Sequence, residues 1–186
     1  MAVALSELVA RLDRAVTAGS VDAITARVKA DLEDVLGGAG LALDDRFRIA
    51  RADCYARRLL YQDPANRYTA VVMTWGPGQG TAVHDHGGLW CVEGVVEGEM
   101  AVTQYDVQPD GDAFRVSPAG RPITAGVGSA GRLIPPIDYH VLANAQPDAA
   151  SVTLHVYGGS LDGCRVFTPD ADGRYRQSIR ALSYHD

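Results

Sequence analysis

Apolar residues at Leu5, Leu8, Val9, Leu12 and Val16 recur at helical spacing, and so do Ile24, Val28, Leu32 and Val35 or Leu36. Each segment therefore carries one apolar face, which predicts an amphipathic helical pair. Ser20 is placed to cap the second helix and Gly37-Gly38 to end it. From about Phe47 the pattern changes to short strand-like runs: Tyr68 to Trp75, Leu89 to Val96, Met100 to Tyr105, Ala113 to Val116, Ser151 to Tyr157 and Cys164 to Phe167. Turns rich in Gly, Pro and Asp separate them, with no helical pattern between. Such a succession predicts a mainly β fold, an antiparallel sandwich or barrel rather than a βαβ arrangement. Beyond Pro169 the chain is polar, with Tyr175, Ile179, Leu182 and Tyr184 as its only anchors, and is expected to pack on the outside of the barrel. The expected organisation is a helical segment over 1–44, a barrel over 45–168 and a C-terminal extension over 169–186.

A chain of 186 residues holds one such domain with a substantial core, not two. Its 17 Lys and Arg against 23 Asp and Glu leave a net charge of -6, and no basic cluster is interleaved with aromatics. Nucleic acid is therefore not an expected partner, and a small molecule is. Glu7, Arg11, Asp13 and Arg14 interrupt the first apolar stretch, so it has neither the pattern of a signal peptide nor that of a membrane span. A cytoplasmic monomer without a membrane partner is the expectation. Three scattered cysteines, Cys54, Cys91 and Cys164, do not make a disulfide framework, and no Cys-x-x-Cys pair suggests structural zinc.

The candidate chemistry begins at Gly78-Gln79-Gly80-Thr81-Ala82-Val83-His84-Asp85-His86. On a strand, residues i and i+2 share a face, so the imidazoles of His84 and His86 converge without any special backbone. His140, in a second strand-like segment, could close the same site. Three neutral imidazoles leave a divalent metal with its full charge and half its coordination sphere open, an arrangement that favours anionic ligands such as a thiolate. Redox oxygen chemistry fits Fe(2+) best, while geometry alone also admits Zn, Ni, Mn or Co.

The order Gly78, five residues, His84-x-His86, four residues, Cys91, six residues, Gly98 resembles the first cupin motif, with Cys91 where a glutamate ligand is usual. His140-x-x-x-Asn144 matches the end of the second, although Ile137 stands where a glycine is usual. The resemblance implies a small cupin-type antiparallel β-barrel, a double-stranded β-helix, with a metal in its mouth. Trp75-Gly76-Pro77-Gly78 leading to His84-Asp85-His86, then His140, then Leu154-His155-Val156-Tyr157, is similar to the cysteine dioxygenase family over roughly residues 50 to 168. That resemblance implies a thiol dioxygenase in which His84, His86 and His140 hold iron(II) and O2 oxidises a bound thiolate to a sulfinic acid.

Further roles come with the resemblance. Cys91 occupies the position of a cysteine that animal members link by a thioether to the tyrosine matched by Tyr157. Thr153, His155 and Tyr157 stand where the family has a Ser/His/Tyr row, and alternation puts them on one face, as a hydrogen-bonded relay requires. Arg57 matches the arginine that distinguishes cysteine dioxygenases from mercaptopropionate dioxygenases; its fork suits a carboxylate, and Tyr55 could donate to the same group. Arg58 should face away, as a solvated charge; turned inward, it would make a dicarboxylic thiol such as mercaptosuccinate plausible.

Two departures bear on the substrate. Alternation aims Glu93 into the barrel, which is costly unless the carboxylate is paired. Gly158-Gly159 replaces a serine-proline turn of the animal enzymes, which suggests a looser pocket wall. L-cysteine is the expected substrate. 3-Mercaptopropionate and mercaptosuccinate stay open, as do a metal-dependent cupin isomerase or lyase and a small-molecule binding module.

Overall fold

A computed structural model describes all of residues 1–186. The apolar stripes fold as α1 (Leu5–Ala15) and α2 (Val21–Gly37), and the Ser20 hydroxyl accepts a hydrogen bond from the Ala23 amide at the start of α2. A 3-10 turn at Asp45–Arg48 leads into β1 (Ala56–Gln62) and β2 (Thr69–Trp75). Then come β3 (Val83–His84), β4 (Cys91–Glu97), β5 (Glu99–Asp110), β6 (Ala113–Pro118), β7 (Ile123–Gly126) and β8 (Ala130–Leu133). The last four are β9 (His140–Asn144), β10 (Ser151–Tyr157), β11 (Gly163–Pro169) and β12 (Tyr175–Ala181). The mainly β architecture with an N-terminal helical pair is the one the patterning predicts. No helix is long and apolar enough to cross a membrane.

Two antiparallel sheets result, one ordered β1-β2-β10-β4-β8 and the other β6-β12-β11-β3-β9-β5-β7. β2 and β10 are buried along their whole length, because each faces a core on both sides. Ala70, Val72, Val92, Leu154 and Val156 pack outward against Leu8, Leu12, Val28, Leu32 and Leu36 of the helices. The alternate residues Val71, Met73, Trp75, Cys91, Val95 and Tyr157 point inward and form a second core with Met100, Leu133 and Leu142. The helices thus brace one sheet from behind and leave its inner face for the site. Gly94 lets α2 approach β4 closely, since a Cβ there would stand 2.7 Å from Leu36 Cδ1.

Leu32 is fully buried between α2 and this sheet. Leu32→Ala is expected to lower unfolding free energy by about 2–5 kcal/mol, the range for a buried large-to-small change, measured by denaturant titration.

Several elements differ from the sequence reading. β5 is longer than Met100 to Tyr105, and β1, β3, β7, β8, β9 and β12 lie outside the six runs given there. The residues after Pro169 do more than lie on the outside: β12 pairs with β11 along its length and touches β6, becoming a strand of the larger sheet. The chain then returns to β1, where the Arg57 amide donates to His185 Nδ1.

Candidate metal centre

His84 ends β3 and His140 begins β9, and the two are direct cross-strand partners. His86 follows on the loop after β3, two residues beyond His84. The three rings gather with centroids 4.5–5.5 Å apart, and their ligand atoms lie within 4.8 Å of one another. His86 and His140 are 1% and 0% exposed.

The Nδ1 atoms are all committed. His84 Nδ1 lies 3.1 Å from the Ala82 carbonyl, His140 Nδ1 3.1 Å from the Asp138 carbonyl, and His86 Nδ1 3.3 Å from Asp138 Oδ2. Acceptors at these positions hold the proton on Nδ1 and leave Nε2 as a lone pair. His86 Nε2 and His140 Nε2 are buried without any hydrogen-bond partner. Buried nitrogens left unpartnered and within 4.8 Å of one another could hold a metal, and these side chains fit a divalent ion. Burial and the other two imidazoles push His84 well below its usual pKa, which keeps it unprotonated. Burial also disfavours a charged His86, but Asp138 and Glu93 outweigh it and raise its pKa to about 9, so at neutral pH a metal at its Nε2 would displace a proton.

Two aspartates that the sequence analysis did not single out support the set. Asp138 Oδ2 accepts from the His86 amide as well as facing its ring. Asp85, on the other side of the loop, accepts from the Arg165 and Gly87 amides and pairs with the Arg165 guanidinium, tying the ligand loop to β11. The available signal was burial: an aspartate beside a ligand histidine in an apolar run needs a partner.

Glu93 points inward from β4, as alternation predicts, and its side chain is only 11% exposed. It meets no arginine. Its Oε1 lies 3.2 Å from His140 Nε2, 3.2 Å from His155 Nδ1 and 3.7 Å from His86 Nε2. The His140 and His155 imidazoles outweigh burial and hold its carboxyl well below the usual range.

Thr153, His155 and Tyr157 share the inner face of β10. The Trp75 indole donates to Thr153 Oγ1 at 2.8 Å, and Thr153 Oγ1 lies 2.8 Å from His155 Nε2. An indole N–H can only donate, so the threonine hydroxyl is free to donate its own proton to His155 Nε2. His155 Nδ1, the nitrogen nearest Glu93, is buried without a hydrogen-bond partner. The ring of Tyr157 stacks on His155 with centroids 6.0 Å apart. The row therefore reaches Glu93 through its imidazole, where the sequence reading had it end at the phenol.

Cys91 and Tyr157 are direct cross-strand partners on the inner face. Burial, then neighbouring groups including Glu93, raise both the Cys91 thiol and the Tyr157 phenol well above their usual values, so both keep their protons.

Arg57 and Tyr55 line the same cavity as His84, His86, Glu93, His155 and Tyr157. Arg57 is 2% exposed, donates from Nη2 to the Leu161 carbonyl at 2.9 Å, and leaves its buried Nε unpartnered. Its guanidinium carbon lies 4.5 Å from the Tyr184 ring centroid and 6.0 Å from that of Tyr157. Aromatic faces and a carbonyl surround this charge, and no carboxylate neutralises it. Tyr55 packs against Trp75, ring centroids 4.5 Å apart.

Arg58 faces away from the cavity, as alternation requires, but it is not solvated. It is 3% exposed, with Nη1 3.4 Å from Thr74 Oγ1, because the 3-10 turn and the C-terminal residues cover this face of β1. The wall at Gly158-Gly159 is not loose either. A Cβ at Gly158 would stand 2.3 Å from Trp90 Nε1, so the indole fills that space.

Residues 3–170 match the family model described as cysteine dioxygenase type I. The chain is 23% identical over 124 residues to cysteine dioxygenase type 1 of Danio rerio, covering 66% of this chain and 61% of that protein. With the Homo sapiens protein of the same description it shares 23% identity over 148 residues, covering 80% and 70%. The match thus spans about three fifths of the zebrafish relative's length. A solved structure from Klebsiella pneumoniae subsp. pneumoniae, described as a conserved protein with a double-stranded beta-helix domain, superposes with a TM-score of 0.52 at 18% identity. It covers 67% of this chain and 89% of that one, a likeness of fold.

Proposed function

Because this chain belongs to the cysteine dioxygenase type I family, we propose that it is an iron(II)-dependent thiol dioxygenase that oxidises L-cysteine with O2 to cysteine sulfinate. The observation that carries the reading is the gathering of three imidazoles, two of them with buried unpartnered Nε2 atoms, at a cavity that one guanidinium with no carboxylate also lines. His84, His86 and His140 would hold the iron, which when bound supplies Lewis-acid activation of a thiol and one-electron chemistry with O2.

The chain's own residues account for the rest. Arg57 offers a charged fork to the substrate carboxylate, and in this dry setting the contact also fixes the pose of the thiol. Tyr55 borders the same end. Tyr157 keeps its proton at neutral pH because burial raises its pKa, so it acts as a hydrogen-bond donor into the cavity. Thr153 and His155 hydrogen-bond to each other on β10, which lies in the same sheet as Arg57's β1 with β2 between them, and fix the imidazole in the cavity wall.

Cys91 and Tyr157 stand in the register that a thioether needs. Linking Sγ to a ring carbon beside the phenol oxygen removes one hydrogen from each partner, with O2 as the oxidant. The intact mass of protein aged with iron, cysteine and O2 is expected to fall by two hydrogens, and Cys91→Ala protein is expected to show no such loss.

Oxygen uptake by iron(II)-loaded protein with L-cysteine, 3-mercaptopropionate and mercaptosuccinate tests the substrate. The highest kcat/KM is expected with L-cysteine. A preference for either other thiol replaces the substrate and keeps the chemistry, whereas no uptake with any of them favours the isomerase or binding-module reading.

A further inference from the structure

We propose that Glu93 is a fourth, anionic protein ligand of the metal held by His84, His86 and His140. The inference rests on the metal centre proposed above and adds a residue to it. A nearly buried carboxylate normally needs a positive partner, yet the groups facing Glu93 are His86, His140, His155 and the Cys91 thiol. No lysine or arginine approaches it. A divalent ion at the three Nε2 atoms supplies the missing charge.

The distances to two of the three imidazoles agree. Donors bound about 2.0–2.1 Å from one ion at right-angled to tetrahedral angles stand roughly 3.0–3.4 Å apart. Glu93 Oε1 is 3.2 Å from His140 Nε2, and slightly farther, 3.7 Å, from His86 Nε2. Despite the 3.2 Å separation, His140 Nε2 has no hydrogen-bond partner, so the nitrogen and the oxygen are not aimed at each other. They border a shared point instead.

The residues behind the carboxylate match this role. The Trp75 indole, the Thr153 hydroxyl and His155 Nε2 form a hydrogen-bonded chain that fixes the His155 ring, whose Nδ1 lies 3.2 Å from Glu93 Oε1 and, like His140 Nε2, has no hydrogen-bond partner. Outer groups of this kind commonly flank a ligating carboxylate. Glu93 also differs in place from the usual cupin glutamate, whose position here is Cys91; it lies one pleat further along the same face of β4. With Glu93 bound, three neutral imidazoles and one carboxylate leave the centre one positive charge, and one position fewer is open to exogenous ligands.

Anaerobic loading with cobalt(II) tests this without turnover. Affinity is read by chelator competition, the ligand field by the visible spectrum, and the open positions by azide titration. Glu93→Gln preserves shape, and Glu93→Leu removes the oxygens. Both variants are expected to bind cobalt at least ~10-fold more weakly, to shift the visible bands and to bind azide more tightly than the unaltered protein. Unchanged cobalt affinity, spectrum and azide binding in both variants would overturn the proposal and make Glu93 a hydrogen-bonding partner only. Failure of the unaltered protein to bind cobalt would instead remove the metal centre, and this fourth ligand with it.

Discussion

His140→Ala is expected to leave a folded protein with almost no iron and no measurable thiol oxidation. His140 is the ligand with the least alternative: it is fully buried, its Nδ1 is held by the Asp138 carbonyl, and its Nε2 has no protein partner. Changing an outer partner of a ligand commonly costs about 10–100-fold in metal affinity, so loss of the ligand itself should exceed ~100-fold. The helices and the outward core they build lie on the far side of the sheet from this residue, so circular dichroism should be unchanged. Iron content after gel filtration and chelator competition measure the effect, and retention of stoichiometric iron would contradict it.

Arg57→Ala carries the second large effect. The guanidinium is buried without a counter-ion, so its removal costs the free protein only the Leu161 carbonyl bond and the contact with the Tyr184 ring, a modest loss of stability. The substrate carboxylate is where the charge acts. Truncating one partner of a buried charged pair costs about 2–5 kcal/mol, so kcat/KM for L-cysteine is expected to fall by about 30- to 5,000-fold. A thiol amine without a carboxylate should turn over at the same low rate in both proteins. Arg57→Lys keeps the charge but loses the fork, and should recover only part of the loss. Equal kcat/KM for L-cysteine in the unaltered and alanine proteins would place the carboxylate elsewhere.

The parts of this site legible in the sequence are those governed by strand alternation. β10 was read with its observed bounds because Val152, Thr153, Val156 and Tyr157 favour a strand and turn-forming residues flank the run. The shared faces of Thr153, His155 and Tyr157, and of Tyr55 and Arg57, follow from a period of two. The inward direction of Glu93 was legible for the same reason. What faces it was not, since His140 and His155 come from strands far along the chain and only the closed barrel brings them to one carboxylate. Arg58 illustrates the same limit. Its direction followed from alternation, but its burial depends on cover supplied by distant segments.

Elements too short or too polar for periodicity were missed. β3 has two residues, and nothing in Val83-His84 alone distinguishes a strand from a loop. β12 is exposed along most of its length, so no apolar alternation marks it, although seven registered pairs join it to β11. The Gly158-Gly159 turn misled in another way. Small residues suggest free space, and here Trp90 from the neighbouring loop occupies it.

The central claim, that this cavity carries out dioxygenation of a thiol, is tested most directly by turnover of L-cysteine under heavy-isotope O2 with iron(II)-loaded protein, the product analysed by mass spectrometry. The account predicts cysteine sulfinate in which both added oxygen atoms come from O2, formed in step with oxygen consumed. Disulfide as the sole product, or sulfinate whose added oxygen comes from water, would contradict it.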